Sequence, residues 1–254
     1  MDGGAVVGVR AGHAKLQNDG CTVLSAAIPA PWLGELQQAF DDGVKPGSEW
    51  PVPRGADWRH ALVDSSLVVQ QVCRLPELLD AVGALIGARF FLSQVEGREP
   101  LPGGGHQALH RDLSAQRPGD TVLAIAFLDD YGPDNGATRI MPGSHRHDSI
   151  DLNAVQAVGG KSDSRAEPEA SDAAQVSTIR RHGEQMLQIS GHAGDILVFD
   201  ADLVHAGSLN VTGARRRSLL ISYFAEPLFA SHLHSAALRS IRMETTWFEP
   251  PALT

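Results

Sequence analysis

Residues 121–145 read TVLAIAFLDDYGPDNGATRIMPGSH. This stretch contains two β-type runs, Thr121–Phe127 and Ala137–Met141, separated by a segment rich in Asp, Gly, Pro and Asn. Asn135-Gly136 and Pro142-Gly143 are typical of tight turns, in which glycine accommodates a positive φ. The stretch therefore predicts two short strands joined by a turn-rich connection.

Further runs of the same kind lie on both sides of this stretch. They are Phe90–Val95, Ala108–His110, Ile196–Phe199 and Ser218–Phe224, separated by clusters of Gly, Pro, Asp and Asn. Many short strands with such turns favour an antiparallel sandwich or barrel. The expected fold class is mainly β with flanking α-helices.

The first third of the chain has a helical pattern. Apolar residues recur at helical spacing from Trp32 to Phe40 and from Leu75 to Ile86, which predicts two helices that each pack by one face. Pro76 suits the first turn of the second helix, and Gly87 is well placed to end it. Residues 1–88 are therefore predicted to be a mainly helical support, packed on the outside of a β core.

The whole chain, 1–254, is interpreted as one domain with a jelly-roll core made of residues 89–147 and 189–226. Residues 148–188 are interpreted as an inserted loop or lid. The insert is polar and has no sustained apolar period, so it buries too little apolar surface to repay its ordering entropy. Leu233–Met243 has a helix-like mixture of residues.

The composition excludes several classes of protein. With 43% hydrophobic and 20% charged residues the chain is typical of a globular protein, and its net charge of -9 argues against a nucleic-acid partner. No apolar run approaches the roughly 18 residues that span a bilayer, and the N-terminus has no secretory-signal pattern. Cys21 and Cys73 imply no disulfide framework, so a cytoplasmic location is expected. The composition does not indicate an oligomeric state.

Three residues form a candidate metal site. His110 and Asp112 are two residues apart at the end of a predicted strand, so both side chains project to the same side. His205 follows the predicted strand Ile196–Phe199 after a short turn and is the best third ligand. Two histidines and one carboxylate make the facial triad of non-haem Fe(II) oxygenases, which leaves positions open for a cosubstrate and dioxygen.

The segment Asp129–His145 adds specificity, because an H-x-D pair alone occurs in many chains. With Asn135-Gly136 and Pro142–His145 it closely resembles the "NG…PGSH" segment of the phytanoyl-CoA dioxygenase family. The family's order of an H-x-D pair, this segment, a distal histidine, an asparagine and an arginine is matched here by His110, Asp112, Asn135–His145, His205, Asn210 and Arg216. The resemblance covers Phe90–Phe224 and implies a double-stranded β-helix (jelly roll, cupin-like) that binds Fe(II), 2-oxoglutarate and dioxygen.

The resemblance also implies an arginine that binds the cosubstrate. A guanidinium offers two parallel donors to the carboxylate remote from the metal and stays charged at any working pH. Spacing from His205 favours Arg216 and places Arg217 second, while the alternative is that Arg215–Arg217 forms a solvated basic turn. Thr138 is a candidate to donate its hydroxyl to the same cosubstrate, with a structural cross-strand role as the alternative.

Further polar residues are assigned to the pocket. The candidates are Gln94 and Gln107 as liners of the cosubstrate mouth, and Arg54, Arg59 and His106 on the substrate side. Arg54 and Arg59 belong to the segment Gly47–His60, which is expected to line or cover the pocket and to meet an acidic substrate. His145 and His147 are interpreted as loop residues and not as ligands.

The implied reaction oxidises an aliphatic C–H bond of a small-molecule metabolite, chiefly by hydroxylation, with release of succinate and CO2. Desaturation, epimerisation and ring formation are compatible outcomes, and the expected context is biosynthesis or catabolism. Asp112 disfavours halogenation, because the resembling halogenases have a small residue at that ligand position. The alternatives are a metal-binding cupin-type isomerase or ligand-binding protein without 2-oxoglutarate turnover, which has no need of Arg216, and a degenerate structural protein.

Overall fold

The computed structural model describes residues 12–52, 54–112, 119–146, 186–236 and 243–251. The helices are α1 (12–19), α2 (Leu33–Gly43), α3 (Leu67–Val72), α4 (Pro76–Ile86) and α5 (Phe229–Ser235). The strands are β1 (Cys21–Leu24), β2 (Val44–Lys45), β3 (Trp58–Ala61), β4 (Phe90–Pro100), β5 (Thr121–Phe127), β6 (Thr138–Ile140), β7 (Leu187–Gln188), β8 (Ile196–Asp200), β9 (His205–Gly207), β10 (Ser218–Ala225) and β11 (Trp247–Phe248).

The strands form two antiparallel sheets. The major sheet has the order β1-β8-β5-β10-β4-β3-β2, with β11 paired to β4, and the minor sheet has the order β7-β6-β9. An apolar cluster that includes Leu123 of β5, Phe199 of β8 and Ile140 of β6 joins the two sheets. The predicted class, mainly β with flanking helices, is confirmed.

The outer face of the major sheet is covered by helices. Alternate residues of β5, Val122 and Ala124, belong to the same buried cluster as Phe40 of α2 and Leu78 of α4. The residue between them, Leu123, faces the minor sheet instead. Both faces of β5 are therefore buried, which explains its nearly continuous apolar sequence.

The N-terminal third contains the two predicted helices and also three strands. Pro76 stands in the first turn of α4, and Gly87 ends the helix with a φ of 66° while its N–H donates to the Gly83 carbonyl at 2.8 Å. However, β1 extends one edge of the major sheet, and β3 and β2 extend the other. The interpretation of residues 1–88 as outside support was incomplete, because these strands have only two to four residues and too little alternation to be recognised.

A β-bulge changes the facing of β4. Ser222 of β10 pairs with Gln94, whereas the next residue, Tyr223, pairs with Leu92, so the register passes over Ser93 as one extra residue on β4. Before the bulge Phe90 and Leu92 face the helices, and after it Val95 does. As a result Gln94, Glu96 and Arg98 share the opposite, inner face.

Two predicted segments fall largely outside the described residues. Of the insert 148–188, only its last residues are described, and there Leu187–Gln188 forms β7 of the minor sheet rather than part of a loop. Of Leu233–Met243, residues 237–242 lie outside, and the described beginning completes α5. Among the helices that the structure describes, none has the length and apolar character needed to cross a bilayer.

Candidate active site

The three predicted metal ligands lie together between the two sheets. One potential ligand atom from each of His110, Asp112 and His205 lies within 4.8 Å of the others. The Nε2 atoms of His110 and His205 are 3.8 Å and 3.6 Å from the carboxylate oxygens of Asp112. Backbone hydrogen bonds hold this arrangement, because His110 and His205 exchange N–H···O bonds of 3.0 Å and Asp112 donates to the Ala201 carbonyl at 2.9 Å.

Each imidazole is oriented by the backbone carbonyl two residues before it in the chain. Nδ1 of His110 lies 2.8 Å from the Ala108 carbonyl, and Nδ1 of His205 lies 2.8 Å from the Leu203 carbonyl. A carbonyl oxygen only accepts, so each Nδ1 donates, and Nε2 is the ring nitrogen that remains for a metal. Fixing the tautomer in this way is how metal-binding histidines are oriented in proteins.

The carboxyl group of Asp112 is held in its ionised form. Desolvation in the site raises its pKa, but the adjacent His205 and His110 imidazoles and the Arg98 guanidinium outweigh that effect, and the net pKa lies below the ordinary value. An ionised carboxylate and two imidazole lone pairs are the donor set that a divalent transition metal requires.

A first cavity of about 130 Å³ opens directly from this triad. Its walls include Trp58, Gln107, Tyr131, Thr138 and Arg216, in addition to the three candidate ligands. The hydroxyl of Tyr131 lies 2.7 Å from that of Thr138, so two hydroxyl groups meet on one wall.

Arg216 is a buried guanidinium on the wall of the first cavity. Its residue surface is 2% exposed, and in the described part of the chain its Nε atom has no hydrogen-bond partner. The guanidinium lies over the Tyr131 ring, 4.5 Å from the centroid, and 5.7 Å from the Trp58 ring. Burial lowers the pKa of Arg216, because the charged form loses hydration. A buried charge of this kind calls for an anionic ligand.

The two neighbouring arginines are committed elsewhere. Arg217 donates from Nε and Nη2 to Asp129, at 2.9 Å and 2.8 Å, and from Nη1 to Asp41 at 3.0 Å. Arg215 pairs with Glu99 and Asp41 at 2.8 Å each. Neither lines the first cavity, so the structure does not support Arg217 as the second choice for the cosubstrate.

A second cavity of about 480 Å³ adjoins the first. The two share Arg98, Asp112, Leu123 and Leu220 as lining residues. The rest of the second cavity combines apolar residues such as Phe224 and Leu228 with polar ones such as Ser222 and Ser231. The candidate metal site thus lies at the junction of a small polar cavity and a larger mixed one.

A family model described as Phytanoyl-CoA dioxygenase (PhyH) matches residues 16–218, well over half of the chain. The chain belongs to the phytanoyl-CoA dioxygenase family. The family predicted from Asn135–His145 is therefore confirmed, and with it an enzymatic, dioxygenase family.

Two curated relatives have dioxygenase names. Ectoine dioxygenase of Nocardia farcinica (strain IFM 10152) is 27% identical over 114 residues, which are 45% of this chain and 38% of that protein. Dioxygenase FrzG of Cladobotryum sp is 24% identical over 212 residues, which are 80% of this chain and 61% of that protein. In both matches the chain covers less than two thirds of the relative's length.

Solved structures of the same fold include a non-heme alpha ketoglutarate dependent epimerase. The epimerase SnoN from nogalamycin biosynthesis, in complex with Fe3+, alpha ketoglutarate and nogalamycin RO, has a TM-score of 0.62. The identity is 18%, and the match covers 87% of this chain and 84% of that one. This likeness confirms the predicted double-stranded β-helix of the PhyH family.

The other predicted site residues of this PhyH member divide between the two cavities and the surface. Thr138 and Gln107 line the first cavity, and Gln107 also accepts from the Gly207 N–H at 3.0 Å. Gln94 lines the second cavity, not the first, and donates to Glu96 at 3.1 Å. Asn210 is fully buried and organises the turn after β9, where its side chain accepts from the Thr212 N–H at 3.0 Å.

The three predicted substrate-side residues do not line either cavity. Arg54 is ion-paired with Glu96 at 2.8 Å, and Arg59 with Glu99 at 2.6 Å, so the acidic partners that they were expected to find in a substrate lie within the protein. His106 is exposed and lines neither cavity. His145 lies near Gln17, as expected of a loop residue, and His147 lies outside the described residues.

Sequence reasoning did not single out the cavity residues Arg98 and Tyr131. Arg98 comes from β4 and Tyr131 from the connection after β5. Tyr131 stands within the segment Asp129–His145, so its position beside that motif was a usable signal, whereas no local pattern marks Arg98. Trp58 of β3 lines the first cavity and belongs to the segment Gly47–His60, which was expected to line or cover the pocket.

Proposed function

We propose that this protein is a non-haem Fe(II)- and 2-oxoglutarate-dependent dioxygenase. In the proposed reaction a small-molecule substrate R–H, 2-oxoglutarate and dioxygen give R–OH, succinate and CO2. The observation that carries the proposal is Arg216, a buried guanidinium without a carboxylate partner in the described part of the chain, in the cavity that opens from the His110, Asp112 and His205 triad.

The chemistry of the donor set fits a divalent iron. Two Nε2 lone pairs and one ionised carboxylate supply three ligands on one side, and both cavities open on the other. An iron ion with bound 2-oxoglutarate would supply the activation of dioxygen and the oxidation of the substrate.

The first cavity fits the carboxylate of 2-oxoglutarate that is remote from the metal. Arg216 would bind this carboxylate, and one hydroxyl of the hydrogen-bonded pair Tyr131 and Thr138 would donate to it. The Tyr131 and Trp58 rings pack on Arg216 and exclude water from the ion pair, which strengthens it. Gln107 would hold the mouth of the cavity by its bond to the Gly207 N–H.

The second cavity would hold the substrate, because it shares Asp112 with the first and has about 480 Å³ of space. That volume is within the range of pockets for small metabolites. Hydroxylation of an aliphatic C–H bond is the proposed outcome. The proposed partners are this substrate and the cosubstrate, with no nucleic acid or membrane, and the free thiols of Cys21 and Cys73 support a cytoplasmic location.

The decisive experiment is anaerobic difference absorption of the purified protein with Fe(II) and 2-oxoglutarate. The expected result is the weak visible charge-transfer band of a chelated 2-oxoacid. His110→Ala should abolish the band, and Arg216→Ala should raise the 2-oxoglutarate concentration needed to saturate it. Arg89→Gln is the matched control, because Arg89 pairs on the surface with Glu226.

The opposite outcome would favour the metal-binding cupin. If iron binds with His110-dependent stoichiometry but no band forms at any 2-oxoglutarate concentration, the protein is not a 2-oxoglutarate oxygenase. With a band established, succinate release during a substrate screen identifies the oxidised compound.

A further inference from the structure

The charges around Glu96 do not balance. Glu96 is 2% exposed and accepts hydrogen bonds from Arg54 at 2.8 Å, from Gln94 at 3.1 Å and from Nε of Arg98. One carboxylate therefore faces two guanidiniums. His60, whose Nδ1 lies 4.0 Å from Glu96, adds no charge at neutral pH, because burial lowers its pKa to about 4. Glu96 and the two guanidiniums together carry one net positive charge. Arg98 also faces the Asp112 carboxylate, but Asp112 is a candidate metal ligand, and a bound metal would take up its charge.

This excess charge faces the cavities at Arg98. Arg54 stacks its guanidinium on the Trp50 ring, 4.7 Å from the centroid, and lines neither cavity. Arg98 lines both cavities, and its side chain is 33% exposed. Within the described ranges, only Nε of Arg98 is hydrogen-bonded to protein, so Nη1 and Nη2 remain available to a ligand.

In contrast to the group around Glu96, a neighbouring group of charged residues is balanced. Its members are the carboxylates of Asp41, Glu99 and Asp129 and the guanidiniums of Arg59, Arg215 and Arg217. Three negative charges meet three positive ones, and none of these residues lines a cavity. Arg98 and Arg216 do not belong to this balanced group, and both line a cavity.

The charges of Glu96 and Arg98 favour an anionic ligand where the two cavities meet. Both oxygens of Glu96 are already engaged with its protein donors, so Glu96 offers little to a cationic ligand. A planar guanidinium with two free Nη groups matches a carboxylate in geometry as well as in charge.

The second cavity has room for the rest of such a molecule. Arg98 and Asp112 stand at the end that it shares with the first cavity. Phe224 and Leu228 give the remaining wall a substantial apolar part. The cavity is therefore complementary to a molecule with one anionic end and an aliphatic or ring-shaped body.

We propose that Arg98 binds a carboxylate of the substrate, so that the substrate is a small organic acid whose carboxylate lies at the metal side of the second cavity. This inference rests on the proposed function, in which Arg216 holds the remote carboxylate of 2-oxoglutarate. A carboxylate at Arg98 has two potential sources, the substrate and the metal-side end of 2-oxoglutarate. The experiment separates them.

The test compares matched acids and amides. The probes are cyclohexanecarboxylate and cyclohexanecarboxamide, 4-methylpentanoate and 4-methylpentanamide, and leucine and leucinamide. Their binding to the anaerobic protein, loaded with Fe(II) and 2-oxoglutarate, is measured by titration calorimetry and by the shift of the visible band. The affinity for 2-oxoglutarate is measured separately, and the variants are Arg98→Gln, Arg98→Lys and the surface control Arg89→Gln.

Wild type and Arg89→Gln should bind at least one acid about tenfold more tightly than its amide, a difference of about 1.4 kcal/mol. Arg98→Gln should bind the acid and its amide with similar affinity, and its affinity for 2-oxoglutarate should be unchanged. Arg98→Lys should retain a weakened preference, because it keeps the charge and loses the planar fork. The lysine variant decides the result if Arg98→Gln does not fold.

Three outcomes would overturn the proposal. In the first, no acid binds the wild type better than its amide, including the case in which no probe binds. In the second, the acid preference persists in Arg98→Gln while the affinity for 2-oxoglutarate is unchanged. In the third, Arg98→Gln loses affinity for 2-oxoglutarate and keeps the acid preference, which assigns Arg98 to the cosubstrate. If the wild type binds no 2-oxoglutarate, the proposed function fails, and the same acid and amide pairs still test Arg98 on the metal-loaded protein.

Discussion

On β10, alternate residues face two different environments. Leu219, Ile221 and Tyr223 are fully buried in the cluster that packs against the helices. Leu220 and Ser222, between them, are half-buried and line the cavities on the inner face. The same strand therefore contributes to an apolar core with one face and to a ligand site with the other.

The comparison separates what stabilises the fold from what performs chemistry. The outer face requires apolar side chains of suitable volume, and one such side chain can be exchanged for another at modest cost. The inner face requires particular charged and polar groups, which come from β3, β4, β9 and the β5–β6 connection. Substitutions on the outer face should change the free energy of unfolding, and those on the inner face should change binding and turnover.

The largest effect is expected at the metal site on the inner side. Asp112→Asn keeps the shape of the side chain and removes its negative charge, so metal binding is lost or misdirected. Succinate formation should fall by more than about 1,000-fold, because a catalytic metal supplies several kcal/mol of barrier reduction. The melting temperature should change little, since Asp112 is half-exposed. Wild-type turnover in Asp112→Asn would contradict the assignment of the ligand set.

The next largest effect compares the two faces of β10 at neighbouring residues. Ile221→Ala creates a cavity in the outer core and should lower the free energy of unfolding by about 2–5 kcal/mol. Leu220→Ala should cost less, because Leu220 is only half-buried, and should weaken substrate-side binding instead. Urea titrations and probe binding on both variants provide the measurement. Equal losses of stability would show that the two faces are not functionally separate.

A smaller effect is expected from adjacent arginines. Arg216→Lys should raise the 2-oxoglutarate concentration for half-saturation by about tenfold, or about 1.4 kcal/mol, because lysine lacks the planar pair of donors. Arg217→Lys should leave it unchanged, since Arg217 is paired with Asp129 and Asp41. Titration of the charge-transfer band measures both. A larger shift for Arg217→Lys than for Arg216→Lys would refute the assignment.

The smallest effect concerns the pH dependence of stability. The pKa of His60 is lowered from 6.5 to about 4 by burial, so between these values the unfolded chain binds a proton at His60 that the folded protein does not. The contribution of His60 to stability is therefore complete above pH 6.5 and is lost as the pH falls toward 4. His60→Gln should reduce the stability difference between pH 7 and pH 5 by about 1 kcal/mol in urea titrations. An unchanged difference would show that His60 does not titrate in this way.

Local sequence patterns were sufficient for the regular parts of the fold. Thr121–Phe127 was predicted with the bounds that β5 has, and Pro76 and Gly87 mark the ends of α4 as expected. The reason is that these segments are buried along a whole face or capped by residues with distinct backbone preferences. The triad was also recognisable, because the spacing of His110 and Asp112 and the order of the later motifs are properties of the chain itself.

Other features depend on contacts between distant segments. Trp58 and Arg98 reach the site through the pairing of β3 with β4, which no local pattern encodes. Arg54 and Arg59 were expected to meet an acidic substrate, but Glu96 and Glu99 of β4 neutralise them. The identity of an arginine's partner is a tertiary property, and it decides whether the arginine is structural or available to a ligand.

Ser93 shifts the phase of β4 by one residue. Deleting Ser93 and leaving every other residue in place would force one half of the strand to turn over. Either Glu96 and Arg98 would be driven into the helical core, or Phe90 and Leu92 would fill the second cavity. Evolution can therefore revise this pocket wall one side chain at a time, whereas a change in the length of β4 at this point exchanges core for pocket in a single event.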